Sequence, residues 1–209
     1  MKTNVKLYVE GGGDSDSLKS DCRRAFRIFL ENAGFKGKSP RIVACGPRQA
    51  AYKSYCIAVK RNEEAMLLVD SESPVQIPSG DLSEWVPWDH LKARDYWEKP
   101  DGANDIDCHL MVQVMETWFL ADISALNGYY GNGFSKNVLP KCPIEEVSKD
   151  DVANALKAAT KKTKKKSYLK GRDSFEIMTN IDPAIVMSSS PWANRFVRLL
   201  HIRMSKQMG

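Results

Sequence analysis

Three short segments carry unbroken apolar runs: "VKLYV" (5–9), "RIVAC" (41–45) and "AMLLV" (65–69). Between them the pattern switches to helical spacing. Leu18, Cys22, Ala25, Phe26, Phe29, Leu30 and Ala33 line one face over 16–33, with Gly34 placed to stop the helix. Tyr52, Tyr55, Cys56 and Val59 mark one face of a second helix over 48–61. "HLMVQV" (109–114) predicts a fourth strand, and a helix carrying Trp118, Phe119 and Leu126 follows it. Continuous apolar strands separated by helices predict an α/β fold: a parallel-sheet core with helices on both faces.

Two segments depart from that alternation. Residues 73–108 hold Pro74, Pro78, Pro87 and Pro100 together with Trp85, Trp88 and Trp97. Aromatics at this density pack, so the segment is read as an ordered insertion with a short helix near 89–97. From 148 onward the pattern is helical only. Ser148 followed by Asp151 predicts a capping box with Asp in place of Glu. Pro183 and Pro191 each suit a first helical turn, and Trp192, Phe196, Val197, Leu199 and Leu200 give the last helix an apolar face. The chain thus divides into a core over 1–147, including the insertion 73–108, and a helical, basic C-terminal extension over 148–209 packed on it.

Composition sharpens this picture in places. At 209 residues, 43% hydrophobic and 27% charged, the chain can build one substantial core. No apolar run is long enough to span a bilayer, and the N-terminus lacks the apolar region and cleavage site of a signal peptide. Cys22, Cys45, Cys56, Cys108 and Cys142 form no C-x-x-C pair, which predicts reduced thiols in a cytoplasmic protein. His90, His109 and His201 are scattered and read as structural or surface residues.

Charge is unevenly placed. "KAATKKTKKKSYLKGR" (157–172) carries seven lysines and one arginine without an acid, so with a net charge of +5 the remainder of the chain is −3. Lys161, Lys162, Lys164, Lys165, Lys166 and Arg172 are candidates to lie along a nucleic-acid backbone. The same run also reads as a solvated helix end, because lysines suit a helix C-terminus. Tyr168 within it is read as packed rather than stacked on a base.

The chemistry-bearing stretch is "LYVEGGGDSDSL" (7–18). Glycines at a strand-to-helix turn usually cradle phosphate, yet this turn carries Glu10, Asp14 and Asp16. Asp70 and Glu72 follow the third strand and Glu116 lies just past the fourth. Ligands of open parallel sheets sit beyond the carboxyl ends of the strands, so these acids should converge on one edge. Gathered carboxylates repel unless a cation joins them, and Mg²⁺ (or Mn²⁺) takes oxygen ligands and bridges carboxylates to phosphate. Ser15 or Asp16 is expected to cap the following helix, and Asp14 fits either a turn or a ligand. A G-x-G-x-x-G fingerprint fails at Asp16, and neither a P-loop nor a G-x-S-x-G motif occurs.

An E-G turn after the first strand and an acidic D-x-E after the third resemble the Toprim fold of topoisomerases, primases and OLD-family nucleases. Glu10 and Asp14 match the OLD-like E-G-x-x-E spacing with Asp for the second Glu, and "MLLVDSE" resembles the D-x-D motif with Glu72 for its second Asp. "METWFLAD" (115–122) resembles the helix whose leading glutamate joins the metal site, which points to Glu116, and Lys170 in "YLKGRDSF" stands for the basic residue that contacts phosphate. Over most of its length the chain is similar to an uncharacterised Toprim-like bacterial family, domain of unknown function 4276. "KLYVEGGGDSDSLKSDCRRAFRIFLE", "PWDHLKARD", "CHLMVQVMETWFLAD" and "KGRDSFEI" carry that likeness.

The resemblance implies a Mg²⁺- or Mn²⁺-dependent nuclease on DNA or RNA. Glu10, Asp14, Asp70, Glu72 and Glu116 would hold metal, Glu10 would also serve as general base, and Lys170 would meet the scissile phosphate. It also implies an AAA-type ATPase as partner in defence against phage or plasmid DNA. Two other readings stand beside it: a module that has lost turnover and binds the ATPase, and a phosphoryl-transfer enzyme acting on a small nucleotide.

Overall fold

The computed structural model of the chain describes residues 5–205. Four strands, β1 Lys6–Val9, β2 Arg41–Ala44, β3 Ala65–Asp70 and β4 Cys108–Met111, form one parallel sheet in the order β2-β1-β3-β4. Val9 pairs with Ala44 and Leu68, and Asp70 pairs with Met111, so Glu10 and Asp70 stand side by side at the carboxyl edge.

Helices α1, Asp16–Leu30, and α2, Arg48–Lys60, cover opposite faces. Leu7, Val9, Met66 and Leu68 pack with Cys22, Ala25, Phe26 and Phe29 on one side. Tyr8, Leu67 and Val69 pack with Ala51, Tyr55 and Ala58 on the other. Each leucine, valine, methionine and phenylalanine among them contributes about 1.5–3 kcal/mol on burial. All of β3 is buried, which is why its sequence shows no polar alternation. Ser15 caps α1, its Oγ accepting from the Leu18 amide at 3.2 Å, and Gly34 turns the chain out of the helix with φ +97°. Glycines of the β1–α1 and β2–α2 turns allow these two turns to pack closely. A Cβ on Gly12 would lie 2.7 Å from the Lys19 backbone, and one on Gly46 would lie 2.4 Å from the Gly13 carbonyl oxygen.

Two elements differ from expectation. The fourth strand ends at Met111 rather than at 114, although the amides of Ser71 and Glu72, beyond the end of β3, still bond to the carbonyls of Met111 and Gln113. The single helix expected around Trp118–Leu126 is two, α4 Thr117–Ala121 and α5 Ile123–Tyr130. Asp122 breaks it: its carboxylate accepts from Ala125 N at 2.9 Å, capping α5, and from Asp182 N at 3.0 Å.

The insertion packs as its aromatics predicted. Its helix α3, Pro87–Asp95, is flanked by Trp85 and Trp97, and all three tryptophans of the segment are buried. Trp97 stacks on Tyr52 at 4.5 Å and Trp88 lies 5.9 Å from Tyr55. The extension supplies α6 Lys149–Thr160, α7 Ser174–Met178, α8 Pro183–Ser189 and α9 Pro191–Ser205, with Ser148 capping α6 and Pro183 and Pro191 opening α8 and α9. Leu156, Phe196 and Met204 join the cluster around Phe26 and Trp118, so this segment completes the α1 face of the core. The buried Arg195 of α9 donates to the carbonyls of Leu82, Trp85, Asp105 and Cys108, bracing the insertion against the outer edge of β4.

Among the described residues, no helix is long and apolar enough to cross a membrane. The five cysteines are free. The histidines hold structure: His90 bonds the Ser71 carbonyl, His201 the Ala33 carbonyl, and His109 is buried beside Arg195.

Candidate metal centre

The parallel pairing of β1 and β3 brings together carboxylates sixty residues apart in the chain. Glu10, Asp70 and Glu72 each offer an oxygen within 4.8 Å of the others. Asp70, the last residue of β3, is 3% exposed; its Oδ1 accepts from Met115 N at 2.8 Å and its amide donates to Glu10 Oε2 at 3.0 Å. Burial, reinforced by Glu10, Glu116 and Glu72, pushes the Asp70 carboxyl well above its ordinary 3.8. Burial likewise pushes Glu10 from 4.5 up to about 7, against the pull of the Asp70 amide and Arg48.

Glu116, immediately before α4, is buried and lines the same cavity of about 300 Å³, together with Glu10, Asp70, Lys170 and Ser174. It lies outside the tight trio. Tyr168 Oη donates to its Oε1 at 3.0 Å, and Lys170 Nζ to its Oε2 at 3.3 Å. Burial lowers the ammonium pKa of Lys170, but Glu116, Asp70 and Glu10 more than offset this, and the net shift is upward. Since 64% of that side chain is open to solvent, water screens each pairing. Lys170 therefore presents a positive charge to a cavity walled by acids.

Glu72 closes the trio from a left-handed backbone, φ +63°, uncommon for a residue with a side chain. It pairs with Lys149 and lies 3.8 Å from Arg94. Asp14 is not brought to the centre: it is exposed in the turn before Ser15 and lines no part of the cavity. The turn is closed by Gly11 and Gly46, which exchange two backbone bonds of 2.9 Å, and this leaves Asp14 on the outside.

Lys161, Lys162, Lys164, Lys165 and Lys166 are exposed in the turns after α6, anchored by the buried Thr163. Lys165 covers the Tyr129 ring at 4.3 Å. Arg172 differs from the lysines. It binds Asp173 through two contacts of 2.7 Å and donates to the carbonyls of Lys165 and Ser167, so it braces the loop that presents Lys170. Tyr168 is packed as predicted, and its hydroxyl is what orients Glu116.

Sequence reasoning missed the second layer. Arg48, at the start of α2, donates from Nε to the Asp70 carbonyl at 2.7 Å and from Nη1 to Asp95 at 2.6 Å, and its Nε lies 3.7 Å from Glu10 Oε2. Trp97 stacks under its guanidinium at 4.5 Å. The insertion thus supports the acidic centre through Arg94, Asp95 and Trp97. The position of Arg48 just past the end of β2 was the one available signal. It follows the same strand-end logic that picked out the acids.

The model of the family described as "Domain of unknown function (DUF4276)" matches residues 9–201, and the chain belongs to that family. No curated protein and no solved structure matches the chain.

Proposed function

We propose that this DUF4276 protein is a divalent-metal-dependent, Toprim-like nuclease that hydrolyses phosphodiesters of DNA or RNA. The observation that carries the reading is the trio Glu10, Asp70 and Glu72, with oxygens within 4.8 Å of one another, beside the cationic Lys170. The donor set fits the ion: every ligand atom is a carboxylate oxygen, the preference of Mg²⁺ and Mn²⁺. Two of the three acids have proton affinities raised by burial first and by neighbouring carboxylates after it, Glu72 acting on Glu10 and Glu10 with Glu116 on Asp70, and a dication relieves that repulsion and displaces the protons. A bound ion supplies Lewis-acid stabilisation and a water of lowered pKa.

The chain's own groups do the rest. Lys170 binds the phosphate oxygens. Arg48 fixes Glu10, and Tyr168 and Ser174 fix Glu116. Glu10 would also accept the proton of the attacking water, as the resemblance implies. An AAA-type ATPase partner in defence against phage or plasmid DNA belongs to the same proposal and is supported by the resemblance alone. The test is cleavage of plasmid, single-stranded DNA and RNA with Mg²⁺ or Mn²⁺, with mononucleotides and dinucleotides as separate arms. Wild type should cut the polymers, and Asp70→Asn should lose at least about a hundredfold in rate. An Asp70→Asn protein that cuts like wild type removes the assignment.

One observation favours a second reading. Glu72 is paired with Lys149 and Arg94, and Glu10 lies beside Arg48, so internal cations already partner two of the acids. A Toprim-derived module that binds an ATPase without turning over would look the same. A wild type whose melting temperature ignores Mg²⁺ and Mn²⁺ selects this reading.

A further inference from the structure

Beside the carboxylate cavity lies a second cleft of about 240 Å³, between α6 and the segment that carries Tyr168 to Lys170. Ala153 and Leu169 form apolar walls over the buried Val152, and Lys149, Lys157 and Lys170 supply cations. Leu169 is 54% exposed, an unusual position for a large apolar side chain flanked by lysine. Asp150 also lines the cleft, so the lysines outnumber the acids there. Among the described residues, Lys157 has no carboxylate within ion-pair distance. Lys149 reaches back to Glu72, and Glu116 and Lys170 line both cavities. The two concavities therefore share a wall, one lined by acids and the other apolar with a cationic rim.

That pairing has a specific chemical complement. A nucleotide offers a flat, largely apolar base joined to an anionic phosphate, and proteins that hold single strands combine such surfaces with lysine or arginine. A strand whose phosphate sits at Lys170 carries its neighbouring nucleotide across the shared wall into the second cleft. A paired base, stacked on both faces within a duplex, cannot enter it. We propose that this cleft is the subsite for the nucleotide next to the phosphate at Lys170 in a single-stranded nucleic acid, with the base against Ala153 and Leu169 and its phosphate at Lys157. The proposal rests on the nucleic-acid reading of the carboxylate centre.

The test reads binding in Ca²⁺ by fluorescence anisotropy, using a short labelled deoxythymidine strand and an abasic strand of equal length. Cleavage in Mg²⁺ is followed separately. Lys157→Glu should weaken binding of the deoxythymidine strand at least about tenfold, while the same charge change at the exposed Lys53 on α2 should cost less than about threefold. Wild type should prefer the base-bearing strand. Ala153→Phe, or Ala153→Leu should the larger residue not fold, should weaken that strand and leave the abasic one unchanged. Equal effects at Lys157 and Lys53, equal affinity for the two strands, or no binding by wild type each overturn the subsite. Intact binding with these preferences but no cleavage in Mg²⁺ retires only the catalytic reading.

Discussion

Asp70 is almost fully buried among acids, and its carboxyl is held well above its ordinary 3.8 by burial first and by Glu10 and Glu116 after it. Asparagine keeps its shape without the charge. Asp70→Asn should therefore melt no lower than the metal-free wild type, since repulsion with Glu10 falls. Metal should stabilise the wild type by about 2.7 kcal/mol at a hundredfold excess over its dissociation constant. The variant should gain far less, and a full metal response in Asp70→Asn would refute the assignment. Glu10 gives a second test. Its native pKa, about 7, exceeds its ordinary 4.5, so the native state holds the proton more tightly than the unfolded chain does. The stabilisation is complete below the unfolded value and is lost as pH rises through the folded one. In EDTA, the unfolding free energy from chemical denaturation should fall between pH ~5 and ~8, at no more than ~1.4 kcal/mol per unit. Glu10→Gln should flatten that fall, and a rise in stability over the same range would contradict it. At this scale the sequence was informative where strand-end position and residue type agreed, as at Glu10, Asp70 and Glu116. At Asp14 the sequence left a turn and a ligand both open, and the structure places the residue in the exposed turn, outside the cavity.

Elements were legible wherever local chemistry decided them. Ser15 and Ser148 cap as their positions predicted, and the continuous apolar runs are the buried strands. The exceptions have local causes. Asp122 spends its carboxylate on two backbone amides and so divides one predicted helix into two. Arg195 shows the limit of pattern reading. Charged residues on a helix are assigned to the wet face, yet this one is fully buried, where four backbone carbonyls use its donors. Burial lowers its pKa to about 10, still far above neutrality, so it remains charged. Arg195→Ala would leave the carbonyls of Cys108 and Trp85 without this donor in a dry interior. Each unsatisfied buried acceptor costs about 1–3 kcal/mol, so the loss should reach at least about 2 kcal/mol in chemical denaturation. Arg195→Lys should recover little, because an ammonium cannot reproduce the planar fork. A loss below about 1 kcal/mol would show that α9 holds the insertion by apolar packing alone.

At the scale of the molecule, charge is divided between an acidic edge and a basic loop, and one short segment joins them. Lys170, inside the carboxylate cavity, follows Lys166 by four residues, and Arg172 pins the loop between them to Asp173. The exposed lysines are thus held beside the centre rather than left on a free tail, which the sequence could not distinguish. If they line the path of a nucleic-acid backbone, replacing Lys161, Lys162, Lys164, Lys165 and Lys166 by glutamine should weaken DNA and RNA binding across sequences alike. Each lost phosphate contact should reduce the salt slope by about 0.7–0.9. None of the five is paired with Glu10, Asp70 or Glu72, so the metal-induced rise in melting temperature should be unchanged. Arg172 is left out of the set because its loss would release the loop and confuse a fold effect with a contact effect. The two readouts separate the possibilities. A reduced salt slope with an intact metal response places the lysines on the nucleic acid. An unchanged slope assigns them to solvent and leaves substrate binding to Lys170, Lys157 and the metal. A lost metal response would mean that the loop positions Lys170, with the acidic centre and the basic strip acting as one site.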